Sequence, residues 1–190
     1  MEGSLRILYS ALIVALGLWA GPAAARDMPP SGTGWTALAP SLDSRVIYVS
    51  SSQGNDANSG LSPAAPKRTL AAGFTLLRNG YPDWLSLRCG DAWTDPMPSW
   101  TKCGRSSTEP MVVCNYGSGA RPLLLTGVAR AFDLTTYPTS RSHLAITGVH
   151  CWAHTNAGNG SDAGVEIVNS WSDVLIEDCC FEQYPTNISI

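Results

Sequence analysis

The chain has 190 residues, a formal charge of −3 and only 14% charged side chains. Its two lysines, Lys67 and Lys102, and its scattered arginines give no basic stripe, which argues against nucleic acid as a partner because phosphate neutralisation needs clustered positive charge. Gly, Ser, Thr, Asn and Pro are plentiful, as expected of an all-β chain with many turns, and the length beyond residue 25 (about 165 residues) suits one domain.

Residues 1–25 read as a secretory signal. Arg6 supplies a weak positive start, and Ile7 to Ala20 carries no charge. Pro22-Ala23-Ala24-Ala25 then places small residues before a cut at Arg26. The competing reading is an uncleaved anchor, but the run falls short of the roughly 20 apolar residues a span needs. Nothing later in the sequence is apolar enough to cross a membrane. The expectation is a secreted chain, extracellular or periplasmic. Residues 26–44 have few apolar anchors beyond Trp35 and Leu38 and read as a linker or loose lead-in.

Arg45–Ser50 is β-branched and aromatic, a strand. A turn-rich loop follows to Pro66. Thr69 can then cap a helix over about 69–79, with Leu70, Phe74 and Leu77 on one face and Asn79-Gly80 closing it. Gly73 inside that helix costs about 1 kcal/mol against alanine. Short strands are expected at 84–88, 111–115, 123–126, 144–147, 149–152, 165–169, 174–177, 179–181 and 188–190.

The last part of the chain repeats itself. Ser142–Cys151 lies over Ser172–Phe181 at an offset of thirty residues, with Ile146 on Ile176 and Val149 on Cys179. Each copy is a short apolar strand, a polar kink and a second short strand. Such a unit buries its apolar face only when stacked on copies of itself.

Several segments carry a family likeness. Tyr48-Val49-Ser50, then Gly54, Asp56, Asn58, Gly60, Ser62, Pro66 and Thr69-Leu70, resemble the N-terminal signature of right-handed parallel β-helix proteins of the pectate-lyase-like superfamily. Gly90-Asp91-Ala92-Trp93 and Tyr116-Gly117-Ser118-Gly119-Ala120-Arg121-Pro122 continue the likeness, which covers most of residues 46–190. The resemblance implies an all-β fold, a right-handed parallel β-helix with an N-terminal capping α-helix, truncated after about three coils. It also implies a polysaccharide-binding or polysaccharide-modifying protein, with a lyase, a glycoside hydrolase or an epimerase as the catalytic versions. In such enzymes the site generally lies on middle coils, so the catalytic coils are expected beyond Ile190. The alternative is a non-catalytic surface or adhesion module that binds glycans.

Candidate site residues are few, and no catalytic residue is assigned. Asn55, Asp56 and Asn58 offer oxygens at alternate positions, a pattern that suits calcium or simply tight turns. Trp93 beside Asp91 and Asp95 could stack on a sugar, while the resemblance makes the Gly-Asp motif a turn-closing device. His150 and His154 stand four apart, but at a strand end and in a loop rather than on one helix face. Asp162, Glu166, Asp173, Glu177, Asp178 and Glu182 form the densest acidic region, and Glu166 with Glu177 is the substrate-binding or calcium-binding expectation. Polyuronate lyases of the superfamily use a Lys or Arg base, and here no lysine follows Lys102 and no arginine follows Arg141. The six cysteines, Cys89, Cys103, Cys114, Cys151, Cys179 and Cys180, are disulfide candidates in an oxidising compartment, or small core hydrophobes. No C-x-x-C pair favours zinc. Asn159 and Asn187 lie in glycosylation sequons, and Asn187 equally suits an asparagine ladder at a coil corner.

Overall fold

The computed structural model describes residues 34–135, 141–156, 163–168 and 171–190. The expected signal segment, Asn159 and Asp162 lie outside these residues.

The described chain is mostly β, with little helix. One sheet holds β1 (Val46–Val49), β2 (Trp84–Arg88), β4 (Met111–Tyr116), β7 (Arg141–Thr147) and β10 (Trp171–Glu177), in that spatial order. A second holds β3 (Ala92–Trp93), β5 (Leu123–Leu125), β8 (His150–Trp152) and β11 (Cys180–Glu182). A third holds β6 (Phe132–Leu134), β9 (Val165–Ile167) and β12 (Ile188–Ser189). Every pairing between these strands is parallel. From β4 onward the chain visits the three sheets in turn, three times over. Each visit to all three sheets is one coil.

The thirty-residue repeat is one such coil. Ser172 pairs with Ser142, Ile176 with Ile146, Cys180 with His150 and Phe181 with Cys151. Register follows from what points inward. In the first sheet Ile47, Leu85, Val113, Ile146 and Ile176 face one another in sequence, none more than 6% exposed. In the second, Trp93, Leu124, Cys151 and Phe181 do the same, and in the third Phe132, Val165 and Ile188. All three rows meet in one core. Each buried aliphatic contributes about 1.5–3 kcal/mol, and a slip by one residue would turn a whole row to water.

The kink between first and second sheets is a left-handed corner. Gly90, Gly117, Gly148 and Asp178 all have positive φ there. At Gly148 the corner is also crowded, because a Cβ would stand 2.6 Å from the Asn115 amide nitrogen, which donates to the Gly148 carbonyl at 3.0 Å.

Asp91 closes the first turn, as the resemblance implies. Its carboxylate accepts from the Ser50 and Ser52 hydroxyls, both at 2.6 Å. Asp83, fully buried, accepts from Arg78 and from the Arg45 amide at 2.8 Å, joining the segment before β2 to the start of β1.

The helix α1 (Leu70–Leu76) is shorter than its expected span. Thr69 caps it, its hydroxyl accepting from the Ala72 amide at 3.2 Å, and the Asp95 carboxylate accepts from the Leu70 amide at 3.0 Å. It ends before Asn79-Gly80, where Leu77 turns extended and Lys102 from a distant loop caps the last carbonyls. The ammonium donates to the carbonyls of Phe74 and Leu77, both at 2.7 Å, and burial lowers its pKa. Trp100, fully buried, stands edge-on to Phe74 and tilted against Phe132. Among the described residues no helix is long and apolar enough to cross a membrane.

Two expectations need correction. The strands β3 and β6 were not anticipated, because two or three residues carry too little pattern. Residues 34–44 are not a loose lead-in. Leu38 packs, with Trp84 and Leu175, against the cluster of Val112, Cys114 and Ala145, while the Thr36 amide and hydroxyl donate to the Glu177 carboxylate at 2.9 and 2.8 Å. This strap crosses the outer face of the first sheet. Among the described residues no disulfide bond joins the cysteines. Cys114 lies on the outer face of the first sheet, Cys151 in the core and Cys179 against it. Burial pushes the Cys114 thiol up to about 11 and the Cys179 thiol up to about 12, so they behave as small hydrophobes.

Gly73 decides a sign. Alanine is the better helix former by about 1 kcal/mol, yet a Cβ here would lie 2.5 Å from Val49 Cγ2 and 3.0 Å from Leu85 Cδ1, both in the core. Overpacking of that kind costs about 1–3 kcal/mol. Gly73→Ala is therefore expected to lower the unfolding free energy by a net of about 1 kcal/mol, read as a lowered denaturant midpoint. A raised midpoint would show that α1 does not lie this close to β1 and β2.

Candidate functional site: the outer faces of the sheets

Three sheets offer three outer faces. The first is closed by the strap, which leaves Glu177 only 4% exposed with its carboxylate engaged by Thr36. Glu177 is therefore a strap anchor, remote in role from Glu166. Trp93 is no sugar platform either. It points inward, 2% exposed, and its indole donates to the Arg68 carbonyl at 3.0 Å.

The loop at 55–58 uses its side chains to hold turns and neighbouring backbone. Asn55 accepts from the Ala57 amide at 2.9 Å, an Asx turn. Asp56 accepts from the Arg68 and Thr69 amides at 2.7 and 3.0 Å and from the Thr69 hydroxyl at 2.9 Å. The Asn58 amide donates to the Pro66 carbonyl at 2.9 Å. Asp56 Oδ1 thus takes two amide protons and Oδ2 a hydroxyl proton, which ties the loop to the start of α1.

The third sheet keeps an open polar face. Its buried residues alternate with Asp133 on β6, Glu166 on β9 and Ser189 on β12. Asp133 and Glu166 are register partners, as are Glu166 and Ser189, so the coils present one polar side chain each in a row. The Asp133 carboxylate accepts from the Thr135 hydroxyl at 2.6 Å and from the Ser99 hydroxyl at 2.8 Å. Burial alone would raise its pKa. The hydrogen bonds from Thr135 and Ser99 and the charge of Arg130 outweigh that, and the net effect is to lower it. The Arg130 guanidinium donates to Glu166. The face thus holds two carboxylates, one guanidinium and hydroxyls in a fixed array.

The acidic region that looks dense in sequence is dispersed in space. Asp173 pairs with His143 at 3.1 Å, Asp178 with Arg121 and Glu182 with His150 at 2.8 Å. His143 and Asp173 occupy the same left-handed position in consecutive coils. Among the described residues no three His, Cys, Asp or Glu side chains are arranged to hold a metal ion. His150 lies on the outer face of the second sheet. His154 stands beyond β8 with its Nδ1 accepting from the Gly127 amide at 3.2 Å.

Glu166 was legible in the sequence, whereas Asp133 and Arg130 were not. The alternation Phe132-Asp133-Leu134 is the signal that could have found Asp133.

No protein-family model matches the chain, and no curated protein does so significantly. Among solved structures it is similar to a rhamnogalacturonan lyase over 71% of this chain and 36% of that one, at 16% identity and a TM-score of 0.44. It is also similar to the native GH136 lacto-N-biosidase from Eubacterium ramulus, over 66% of this chain and 20% of that one, at 22% identity and a TM-score of 0.36. The chain therefore spans about a third of the first structure's length and a fifth of the second's.

The Asp133 environment sets a pH dependence. A depressed carboxyl pKa contributes stability that is present above the unfolded value, about 3.9, and is lost as pH falls through the folded value. The carboxyl carbon of Asp133, followed by NMR, should titrate below an ordinary aspartate, and Thr135→Val should raise its midpoint. An unshifted midpoint in both proteins would mean that the hydroxyl contacts are not made in solution.

Proposed function

We propose that this chain belongs to an exported, right-handed parallel β-helix protein and binds polysaccharide along the outer face of its third sheet. The observation that carries the reading is the register of Asp133 with Glu166 on consecutive coils, next to Arg130. Adjacent parallel strands lie about 4.8 Å apart, close to the length of one sugar residue. A row with one polar side chain per coil therefore suits an extended polymer lying across the coils. Carboxylates and a guanidinium hold pairs of sugar hydroxyls by charge-assisted hydrogen bonds. In this reading α1 covers the open core of the first coil, which its close contact with Val49 and Leu85 supports. Export is supported by the signal-like segment 1–25.

A catalytic version deserves a place beside simple binding. Glycoside hydrolysis with retention uses two carboxyl groups about 5–5.5 Å apart, a separation that side chains in register on neighbouring strands can reach. Two facts put binding first. Arg130 already occupies Glu166, and the lowered pKa of Asp133 suits a base or nucleophile, leaving no evident proton donor. Elimination on a uronate would need a basic side chain, and the cation on this face is tied to Glu166.

Affinity electrophoresis with polygalacturonate, rhamnogalacturonan and a neutral galactan, followed by reducing-end and ultraviolet assays, tests the reading. The wild type should be retarded by at least one of them, and Asp133→Asn or Glu166→Gln should weaken that binding about tenfold or more. New reducing ends that disappear in Glu166→Gln would promote the hydrolytic version. Retardation by none of the three, or equal retardation of both variants, would overturn the proposal.

A further inference from the structure

The second sheet also keeps an outer face. Along its strands the outward positions are Leu123 and Leu125 on β5, His150 and Trp152 on β8, and Cys180 and Glu182 on β11. Trp152 is the exception to ordinary surface economy. It sits in register between Leu125 and Glu182, only partly buried, while its neighbours Cys151 and Ala153 are sealed in the core. The exposed His154 stands edge-on to the indole, with ring centroids 6.1 Å apart and planes at 65°. Because His154 Nδ1 accepts from the Gly127 amide, the proton of the neutral ring is on Nε2, which remains a donor. On the other side, His150 Nε2 meets the Glu182 carboxylate at 2.8 Å, with 28% and 53% of these side chains exposed.

We infer that this face is a second carbohydrate site, a stacking platform for one uncharged sugar ring. The Trp152 indole would lie against the apolar face of the ring. Glu182 would accept from sugar hydroxyls, and the His150 and His154 imidazoles would flank them. The charge pattern chooses the occupant. None of the outward side chains on these strands is Lys or Arg, and the nearby Arg121 is taken by Asp178, so no permanent cation here complements a sugar carboxylate. That distinguishes it from the third sheet, where Arg130 stands among the acids. The site uses no residue of the third-sheet proposal and stands or falls separately.

The test is a titration with three neutral probes, cellohexaose, xylohexaose and galactohexaose, observed through the tryptophan indole N–H signals. Trp152→Phe assigns the Trp152 signal by its loss and keeps an aromatic ring in place. The expected result is that at least one probe moves the Trp152 signal and that Glu166→Gln leaves this response unchanged. Trp152→Ala should weaken the binding about tenfold or more, as truncating a central tryptophan does. Glu182→Gln should weaken it less. If Trp152→Ala fails to fold, Trp152→Phe and Glu182→Gln carry the comparison. A Trp152 signal that stays still with all three probes overturns the inference. So does binding undiminished in Trp152→Ala, or in both substitutes when that variant does not fold.

Discussion

The structure depends on one constraint: no coil can bury its own apolar side. Leu85 has no shelter until Ile47 lies on one side of it and Val113 on the other, and the same holds for Ile146 between Val113 and Ile176. Parallel strands in register are the way this sequence meets that need. Once the rows are set, the outward residues are also in rows, one per coil. Any function the faces have is therefore built by stacking, with groups from different coils brought side by side.

The faces are not equivalent, and the differences follow from local chemistry. The first sheet is apolar outside as well as inside, with Val112, Ala145 and Leu175 outward. Such a surface must be covered, and the strap through Thr36 and Leu38 covers it. The third sheet alternates between core and polar residues on β6 and β9, so its outer face carries the half-buried Asp133 and Glu166. The second carries Trp152 and the His150–Glu182 pair. Polar side chains are thereby left uncovered on two of three sides.

Much of this was legible in the sequence, for physical reasons. The thirty-residue repeat gave the coil and its register because Ile146 and Ile176 need the same inward position. Thr69 as a helix cap was readable because an N-terminal hydroxyl has a local job. What escaped notice depended on distant partners. Lys102 caps the end of α1 from 25 residues away in sequence, at Leu77, and no local signal records it. The strap was missed because Leu38 alone looks like a stray apolar residue until the surface beneath it is known. The acidic region misled, because nearness along the chain turned into separation over three sheets: Glu166, Glu177 and Glu182 each lie on a different one. Trp93 misled in the opposite sense, since an aromatic beside a carboxylate looks the same in sequence whether it faces out or in.

The central claim is the register of the coils, because every outer row follows from it. Methyl-to-methyl NOE measurements on protein labelled at Ile, Leu and Val test it directly. The account predicts cross-peaks joining Ile47 to Leu85, Leu85 to Val113, Val113 to Ile146 and Ile146 to Ile176. Absence of these contacts, or a pattern displaced by one residue that brings Leu175 against Ile146, would contradict it.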